Sequence, residues 1–491
     1  MRSSLFALGI MTTRRALVFS FLDRYASLLI AVASSMVIAR LLTPAEIGVF
    51  SITMVLLMFV SAVRDMGAGQ YLIQEKDLTT ERLRAVWAVQ LGLGLALACL
   101  VLLASYPVAI FYDEPRMRDI MLVVALNYAV NPFGSITYAW LMREMHFESV
   151  AIMRFSASLS GALVSIWLAW NDYGPISLAF GLLASTLVNA LSATYFRPKS
   201  FPWLPGVREI RCVLSFGSQL TASSVIDTLI AGAPELLLGK LQSLSDVGLY
   251  SRSNGLVEMF NRLFSDAVVA VCLPWFAEKS REQGSLTDPF LKATAYLTGI
   301  GWPFCLAVIC LAHPIVLVLY GNQWGQAVDL TRLLALAAFF SVPVILCRTM
   351  LLSSGAVTEI VRVTVFIALQ TVVLAAIGAS HGLMALGLSM IVVAVVRTIL
   401  WLRATSAHLG VPMLGILRTF RLSAAVAVVS AIGPIVALVV FGPYPQSLVF
   451  PLLIGGFGGL AGFVFAVMLF HHPLRVEILS LWTKLKGVVN Y

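Results

Sequence analysis

Charge is scarce in this chain: Asp, Glu, Lys and Arg make up 12% of its 491 residues, against roughly 25% in an average soluble protein. Hydrophobic residues supply 59% and the mean hydropathy is +0.92, which excludes an ordinary soluble domain. Cysteine is scarce as well. The six cysteines, at positions 99, 212, 272, 305, 310 and 347, show no CxxC or His/Cys spacing, so neither a disulfide framework nor a metal site is expected. The sequence contains no Walker loop, no HExxH and no GxSxG, and its outer loops reach at most about a dozen residues between apolar runs of membrane-crossing length. That leaves no room for a catalytic domain, and neither a catalytic residue nor a cofactor is expected. The formal charge of +9 arises from Lys and Arg scattered through short loops. With no basic domain and no aromatic-interleaved patch, nucleic acid is not an expected partner and the lipid bilayer is.

What the chain has in abundance is long apolar runs. Crossing about 30 Å of hydrocarbon takes roughly 20 apolar residues, and on that criterion the sequence predicts an all-α integral membrane protein with about 14 transmembrane helices. The basic N-terminus MRSSLFALGIMTTRR precedes an apolar run too long for a signal h-region and lacking a small-residue cleavage site, so it is expected to remain attached as the first span. An even number of spans puts both termini on one side. Of the 33 Lys and Arg, Arg40, Arg116, Arg118, Lys240 and Arg332 fall on one side, and Arg24, Arg252 and Arg262 fall within spans. All the others, span ends included, belong to the opposite side, which the positive-inside rule makes the cytoplasm.

The chain repeats itself. Arg40 to Ser51 (RLLTPAEIGVFS) laid over Lys240 to Ser251 (KLQSLSDVGLYS) matches in kind at ten of twelve positions, with Glu46 over Asp246 and Gly48 over Gly248. Downstream, Pro107 faces Pro314, Tyr112 faces Tyr320, Pro132 faces Pro343 and Glu148 faces Glu359. Two like-oriented copies predict two six-helix lobes related by a parallel repeat: residues 1–196 and 213–405, joined by a cytoplasmic connector at 197–212. Two extra C-terminal helices and a tail occupy 406–491. The last span carries Gly455, Gly456, Gly458, Gly459 and Gly462, a spacing that lets a neighbouring helix approach closely. The tail, with Trp482, Lys484 and Lys486 beside Leu479, Leu481 and Leu485, reads as an amphipathic interfacial helix.

The informative residues are the polar ones inside spans. In span eight, Ser251, Asn254, Gly255, Glu258, Asn261, Arg262, Ser265 and Asp266 fall on one face at 100° per residue, with Arg252 beside them. Such a stripe must meet protein or a water-filled cavity. Glu258, Arg262 and Asp266 at i, i+4 and i+8 can form an ion-pair ladder, so the face reads either as a structural ladder or as a cavity wall. In span seven, Asp227 lies near the middle and Pro234 interrupts the later half. A carboxylate there can exchange a proton or a sodium ion, and a helix break can expose carbonyls to hold one. The equivalent position of the first copy falls near Ser27, one turn from Asp23, which has Arg24 beside it. Gln90 and Asn127 add neutral polar groups to the first lobe.

Around these positions the chain resembles a known family. VIARLLTPAEIGVFS, the later DMGAGQYLIQ and DVGLYSRSNGLVEMFNRLFSDAVVAVCLPWFAEKSRE are similar to the polysaccharide transporters, the O-antigen and exopolysaccharide flippases of the multidrug/oligosaccharidyl-lipid/polysaccharide exporter superfamily. The resemblance implies two lobes alternating between inward- and outward-open states in the bacterial inner membrane. It implies, as substrate, undecaprenyl pyrophosphate bearing an oligosaccharide repeat unit, and, as partners, a polysaccharide polymerase and a chain-length regulator. Asp266 departs from the small, neutral residues expected there. On this resemblance Arg24, Arg252, Asn254, Glu258, Asn261, Arg262, Gln90 and Asn127 are candidates for the substrate cavity, and Asp227 and Asp23 for ion coupling. A lipid II flippase or a drug/cation antiporter of the same superfamily is the alternative, the cations in spans counting against the antiporter. A membrane polymerase or ligase would need long outer loops.

Overall fold

The computed structural model describes residues 25–64, 68–75, 79–198, 201, 202, 204–260, 268, 272, 276 and 286–480. Over these the chain is helical with short connections. Among the described residues eleven helices are long and apolar enough to cross a membrane, and Tyr25–Leu41 is a shorter apolar helix. The chain is therefore an all-α, multi-spanning membrane protein. Of the three other spans expected from sequence, the first and the eighth run outside the described residues. The seventh lies in a helix of 32 residues, Ile210–Leu241, about 48 Å long at 1.5 Å per residue.

The chain divides into two compact units, Met1–Gly248 and Leu249–Tyr491. In the first unit α1 (Tyr25–Leu41) is followed by α2 (Pro44–Arg64), α3 (Ala68–Gln74), α4 (Thr80–Tyr112), α5 (Arg116–Arg143), α6 (Phe147–Trp170), α7 (Ile176–Phe196) and α8 (Ile210–Leu241). Helix α5 packs between α4 and α7, α6 packs on α7, and α8 lies on α2 and α4. The first turn of α9 (Leu244–Phe260) also belongs to this unit.

The repeated motif acquires a physical form here. Thr43 donates its backbone N–H and hydroxyl to Glu46 Oε2, each at 2.8 Å, while Glu46 N–H donates back to Thr43 Oγ1 at 3.3 Å. Ser243 and Asp246 make the same reciprocal set, with hydroxyl to carboxylate at 2.7 Å. Each is a capping box that satisfies the orphan N–H groups of α2 or α9. One turn on, α2 and α9 cross with no side chain between them. A Cβ on Gly48 would overlap the carbonyl oxygen of Leu244, and a Cβ on Gly248 would overlap that of Pro44. The contact is reciprocal between equivalent positions of the motif.

The stretch after α7, rich in proline and cations, is pinned to the start of α4. Phe201 is buried, the Arg197 guanidinium lies over the Phe201 ring at 4.6 Å and the Trp87 ring at 5.6 Å, and Gly206 N–H donates to Arg84 O at 3.0 Å. Two ion pairs, Arg82–Glu209 at 2.8 Å and Arg208–Glu81 at 2.9 Å, complete the attachment. At the other end of α4, Arg116 chelates Glu114 through Nε and Nη2, both at 2.8 Å. That pairing holds the Glu114 carboxyl below the usual carboxylate range.

The second unit continues from α9 through α10 (Thr287–Tyr320), α11 (Ala327–Ser341), α12 (Cys347–Ser353), α13 (Val357–Ser380) and α14 (Leu383–Leu409) to α15 (Met413–Ser430), α16 (Ile432–Phe441) and α17 (Val449–Leu469). Helix α10 kinks at Leu311, which has non-helical dihedrals, three residues before Pro314. Proline lacks the N–H that would bond back across that turn. The glycines of α17 serve mainly as a packing surface: Gly458, Gly459 and Gly462 meet backbone or proline of Val429–Pro434, and Gly455 meets Leu311. Only Gly456 of the five faces open space.

After α17 the chain turns through His472, which is 1% exposed, and continues as helix over 474–480; Trp482 and the two lysines of the expected amphipathic tail lie outside the described residues. Leu474 N–H donates to His472 Nδ1 at 3.3 Å. The proton of the neutral ring is therefore on Nε2, which donates to Ser423 Oγ at 3.2 Å; Ser423 in turn is 2.8 Å from Thr298 Oγ1. Burial pushes the imidazole pKa down to about 4. A depressed folded-state pKa leaves stability intact above the unfolded value near 6.5 and removes it as pH falls toward 4. The wild-type melting temperature in detergent is therefore expected to fall with acidification across that window. A His472→Gln variant should fall less steeply, and parallel curves would show that His472 does not carry the dependence.

Candidate functional site

In the second unit α9 presents its polar face away from the packed core. Ser253, Leu256 and Val257 are buried, whereas Ser251, Asn254 and Glu258 are partly exposed and Gly255 is exposed. A Cβ on Gly255 would meet nothing within 4 Å. An apolar stripe turned to lipid would present the opposite pattern, so this open polar face is suited to a hydrated space. Ser253 Oγ donates to Ala327 O at 3.2 Å and fixes the opposite side of α9 to the start of α11. Arg252 stands at the edge of the face, 5.8 Å from the Tyr320 ring centroid and 6.0 Å from that of Trp324. Two aromatic faces stabilise a cation withdrawn from water.

The structure adds a cation that the loop assignment had grouped with the cytoplasmic span ends. Arg397 lies near the middle of α14, which runs to Leu409, rather than at a helix end. Its Nη2 donates to Ser341 Oγ, and the neighbouring Thr398 Oγ1 donates to Phe340 O at 2.6 Å; together they clamp α14 to the end of α11. Its Nε is buried without a hydrogen-bond partner. On α13 both amide atoms of Gln370 are likewise buried and unpartnered. Sequence reading missed Arg397 and Gln370; the available signal was a single polar residue well inside a hydropathy maximum.

In the first unit the candidates serve different ends. Gln90 Oε1 accepts from Ser135 Oγ at 2.7 Å, a bond that ties α4 to α5. Asn127 Oδ1, on α5, is buried with no hydrogen-bond partner. Asp227 lies midway along α8 and is partly exposed. Two turns on, Glu235 is 8% exposed and accepts from Ser51 Oγ of α2 at 2.5 Å. Asp23, Arg24, Asn261, Arg262, Ser265 and Asp266 lie outside the described residues. Glu258 is thus the described member of the expected ladder.

The family model described as "Polysaccharide biosynthesis protein" matches residues 37–329. The chain is 24% identical over 308 residues to the succinoglycan biosynthesis transport protein ExoT of Rhizobium meliloti, covering 62% of each chain. It is 22% identical over 304 residues to the lipopolysaccharide biosynthesis protein WzxC of Escherichia coli, covering 61% of each. The matches thus span about three-fifths of the length of these curated relatives. Among solved structures, the lipid II flippase MurJ in an inward closed conformation superposes with a TM-score of 0.75 at 13% identity, over 94% of this chain and 99% of that one. An inward-facing multidrug resistance transporter of the MATE family superposes with a TM-score of 0.60 at 16% identity, over 81% of this chain and 95% of that one. Those likenesses establish a shared fold, and the family match covers more than half of the sequence. The chain belongs to the polysaccharide biosynthesis protein family and shares the multi-spanning fold of those two transporters.

Proposed function

We propose that this protein is a flippase that carries undecaprenyl-pyrophosphate-linked oligosaccharide units across the bacterial inner membrane by alternating access, for exopolysaccharide, capsule or O-antigen synthesis. The observation that carries this is the open polar face of α9 combined with a clamped intramembrane cation, Arg397, in the same unit. A repeat unit bears many hydroxyls and a diphosphate, and each polar group left unpaired in hydrocarbon costs several kcal/mol. Amides and hydroxyls such as those of Asn254 and Ser251 replace water for the sugar, and guanidinium groups suit phosphate. The relatives named for succinoglycan transport and lipopolysaccharide biosynthesis support the same substrate class.

In this proposal the full chain has 14 spans: two six-helix lobes at 1–196 and 213–405, linked by 197–212, with two further helices in 406–491 and both termini in the cytoplasm. The paired capping boxes and the equivalent crossing glycines support the repeat. Arg24, Arg252, Asn254, Glu258, Asn261, Arg262, Gln90 and Asn127 face the substrate path, Asp227 and Asp23 couple transport to an ion gradient, and a polymerase and chain-length regulator receive the product. Depleting the protein should leave lipid-linked oligosaccharide on the cytoplasmic leaflet and abolish the surface polymer. Continued polymer export with cell-wall precursor accumulating instead would favour lipid II as substrate.

A further inference from the structure

By sequence α8 opens the second copy of the repeat, yet it packs on α2, α3 and α4, which belong to the first copy. The attachment is made at both of its ends. At the connector end Val213 is 1% exposed in a core with Tyr71, Trp87, Ile136 and Phe201, and Glu209, just before the helix, pairs with Arg82 at 2.8 Å. At the other end Gly232, Glu235 and Gly239 share one face. A Cβ on Gly232 would overlap Val55 and one on Gly239 would overlap Ile52, so side chains of α2 fill the notches that both glycines leave. Between them Glu235, which is buried, accepts from Ser51 at 2.5 Å. Lys240 Nζ donates to Phe111 O at 2.6 Å, a carbonyl of the last turn of α4, where the helix leaves such groups without an internal partner. Val213 and Lys240 stand about 40 Å apart along the helix at 1.5 Å per residue, farther than the roughly 30 Å of hydrocarbon. The two attachments therefore lie at the two membrane faces.

Alternating access rocks one bundle of helices against another. A helix on the moving boundary parts from its neighbours at one face in the inward-open state and at the opposite face in the outward-open state. Helix α8 is fixed to the first copy at both faces at once. Opening the connector end would uncover Val213 together with Trp87 and Phe201, and opening the other end would empty two glycine notches and break the Ser51–Glu235 bond. Pro234 does not divide the attachment, because Gly232 precedes it and Glu235 and Gly239 follow it. We propose that α8 moves with the first six helices throughout the transport cycle, so that the moving body contains seven spans and ends after α8 rather than at the 197–212 connector. This rests on the alternating-access reading and goes beyond it, since it transfers one span of the second repeat to the first body. The division of the chain into compact units at Gly248 falls just after the same helix. Asp227, midway along α8, then travels with the first body.

Tying α8 to the first copy by a covalent bridge tests this directly. The six native cysteines are replaced by alanine, and Val55→Cys is combined with Gly232→Cys. A Cβ at position 232 would lie 3.8 Å from Val55 Cβ, inside the range of about 3.5–4.5 Å that a disulfide needs. The full chain is reconstituted in vesicles with undecaprenyl-pyrophosphate-linked oligosaccharide extracted from the source strain, and sugar appearing on the far leaflet is followed before and after reduction of the bridge. A second pair puts nothing into the packed contact: Phe111→Cys and Lys240→Cys, both at exposed positions, are joined by a short reducible bifunctional thiosulfonate. Loss of maleimide reactivity measures the extent of bridging. With either pair the bridged protein is expected to expose sugar at a rate within twofold of the same sample after reduction. A tenfold or greater loss on bridging, restored by reduction, would show that α8 parts from α2 or α4 during the cycle and would overturn the proposal. Wild-type vesicles that expose no sugar would sink the flippase reading first and the seven-span body with it, whereas wild-type flipping combined with a bridge-dependent block sinks the seven-span body alone.

Discussion

A Gly48→Ala protein is expected to lose a large part of its thermal stability, and Gly248→Ala is expected to lose nearly as much. At each position the added methyl would meet backbone, the carbonyl of Leu244 in one case and of Pro44 in the other, so no side-chain rotation relieves the overlap. Overpacking costs about 1–3 kcal/mol even where side chains can give way, and a backbone contact belongs at the upper end of that range. The two glycines occupy equivalent positions of one repeated motif and lie in one crossing. Parting α2 from α9 enough for the first methyl makes room for the second. The double variant should therefore be little worse than either single one, a strongly non-additive cycle. Melting curves in detergent measure this, and additive losses would mean that the two positions report on separate contacts.

Asp227→Asn is expected to yield an inserted, folded protein whose transport is slow and indifferent to the proton or sodium gradient. The substitution keeps the size and hydrogen bonding of a side chain midway along α8 and removes its charge and its exchangeable proton. Moving one elementary charge through the membrane field is worth about 2.3 kcal/mol per 100 mV, which biases an inward–outward equilibrium well over tenfold. Pro234, seven residues on, frees a carbonyl that could share an ion held there. Reconstituted Asp227→Asn vesicles that keep the wild-type gradient dependence would remove Asp227 as the coupling residue. In that case Asp23, one turn from the equivalent position of the first copy, becomes the one to substitute.

The parts of this protein legible in its sequence are those set by local rules. Hydropathy announced the spans because nothing else accounts for so many long apolar runs. The repeat aligned Glu46 with Asp246 but did not read them as the carboxylates of capping boxes, although Thr43/Glu46 and Ser243/Asp246 stand at the three-residue spacing that capping uses. The polar face of α9 followed from helical periodicity. What escaped depended on long-range packing. Arg397 was absorbed into a span end because one cation barely lowers a window average, and only the continuation of α14 to Leu409 puts it near mid-helix. Its bond to Ser341 joins residues far apart in the chain. The segment around Phe201 read as a plain connector because prolines and cations carry no sign of the Arg197 stacking and Arg82–Glu209 pairing that dock it on α4.

Lipid flipping itself is the decisive observable. The purified chain would be reconstituted in vesicles carrying undecaprenyl-pyrophosphate-linked oligosaccharide in the inner leaflet, and sugar exposed outside would be followed by its capture with an impermeant lectin. A flippase of this class brings the oligosaccharide to the outer surface over time, with a lower rate in Arg397→Gln vesicles. Sugar exposure no faster than in protein-free vesicles, from a chain shown to be folded and inserted, would contradict it.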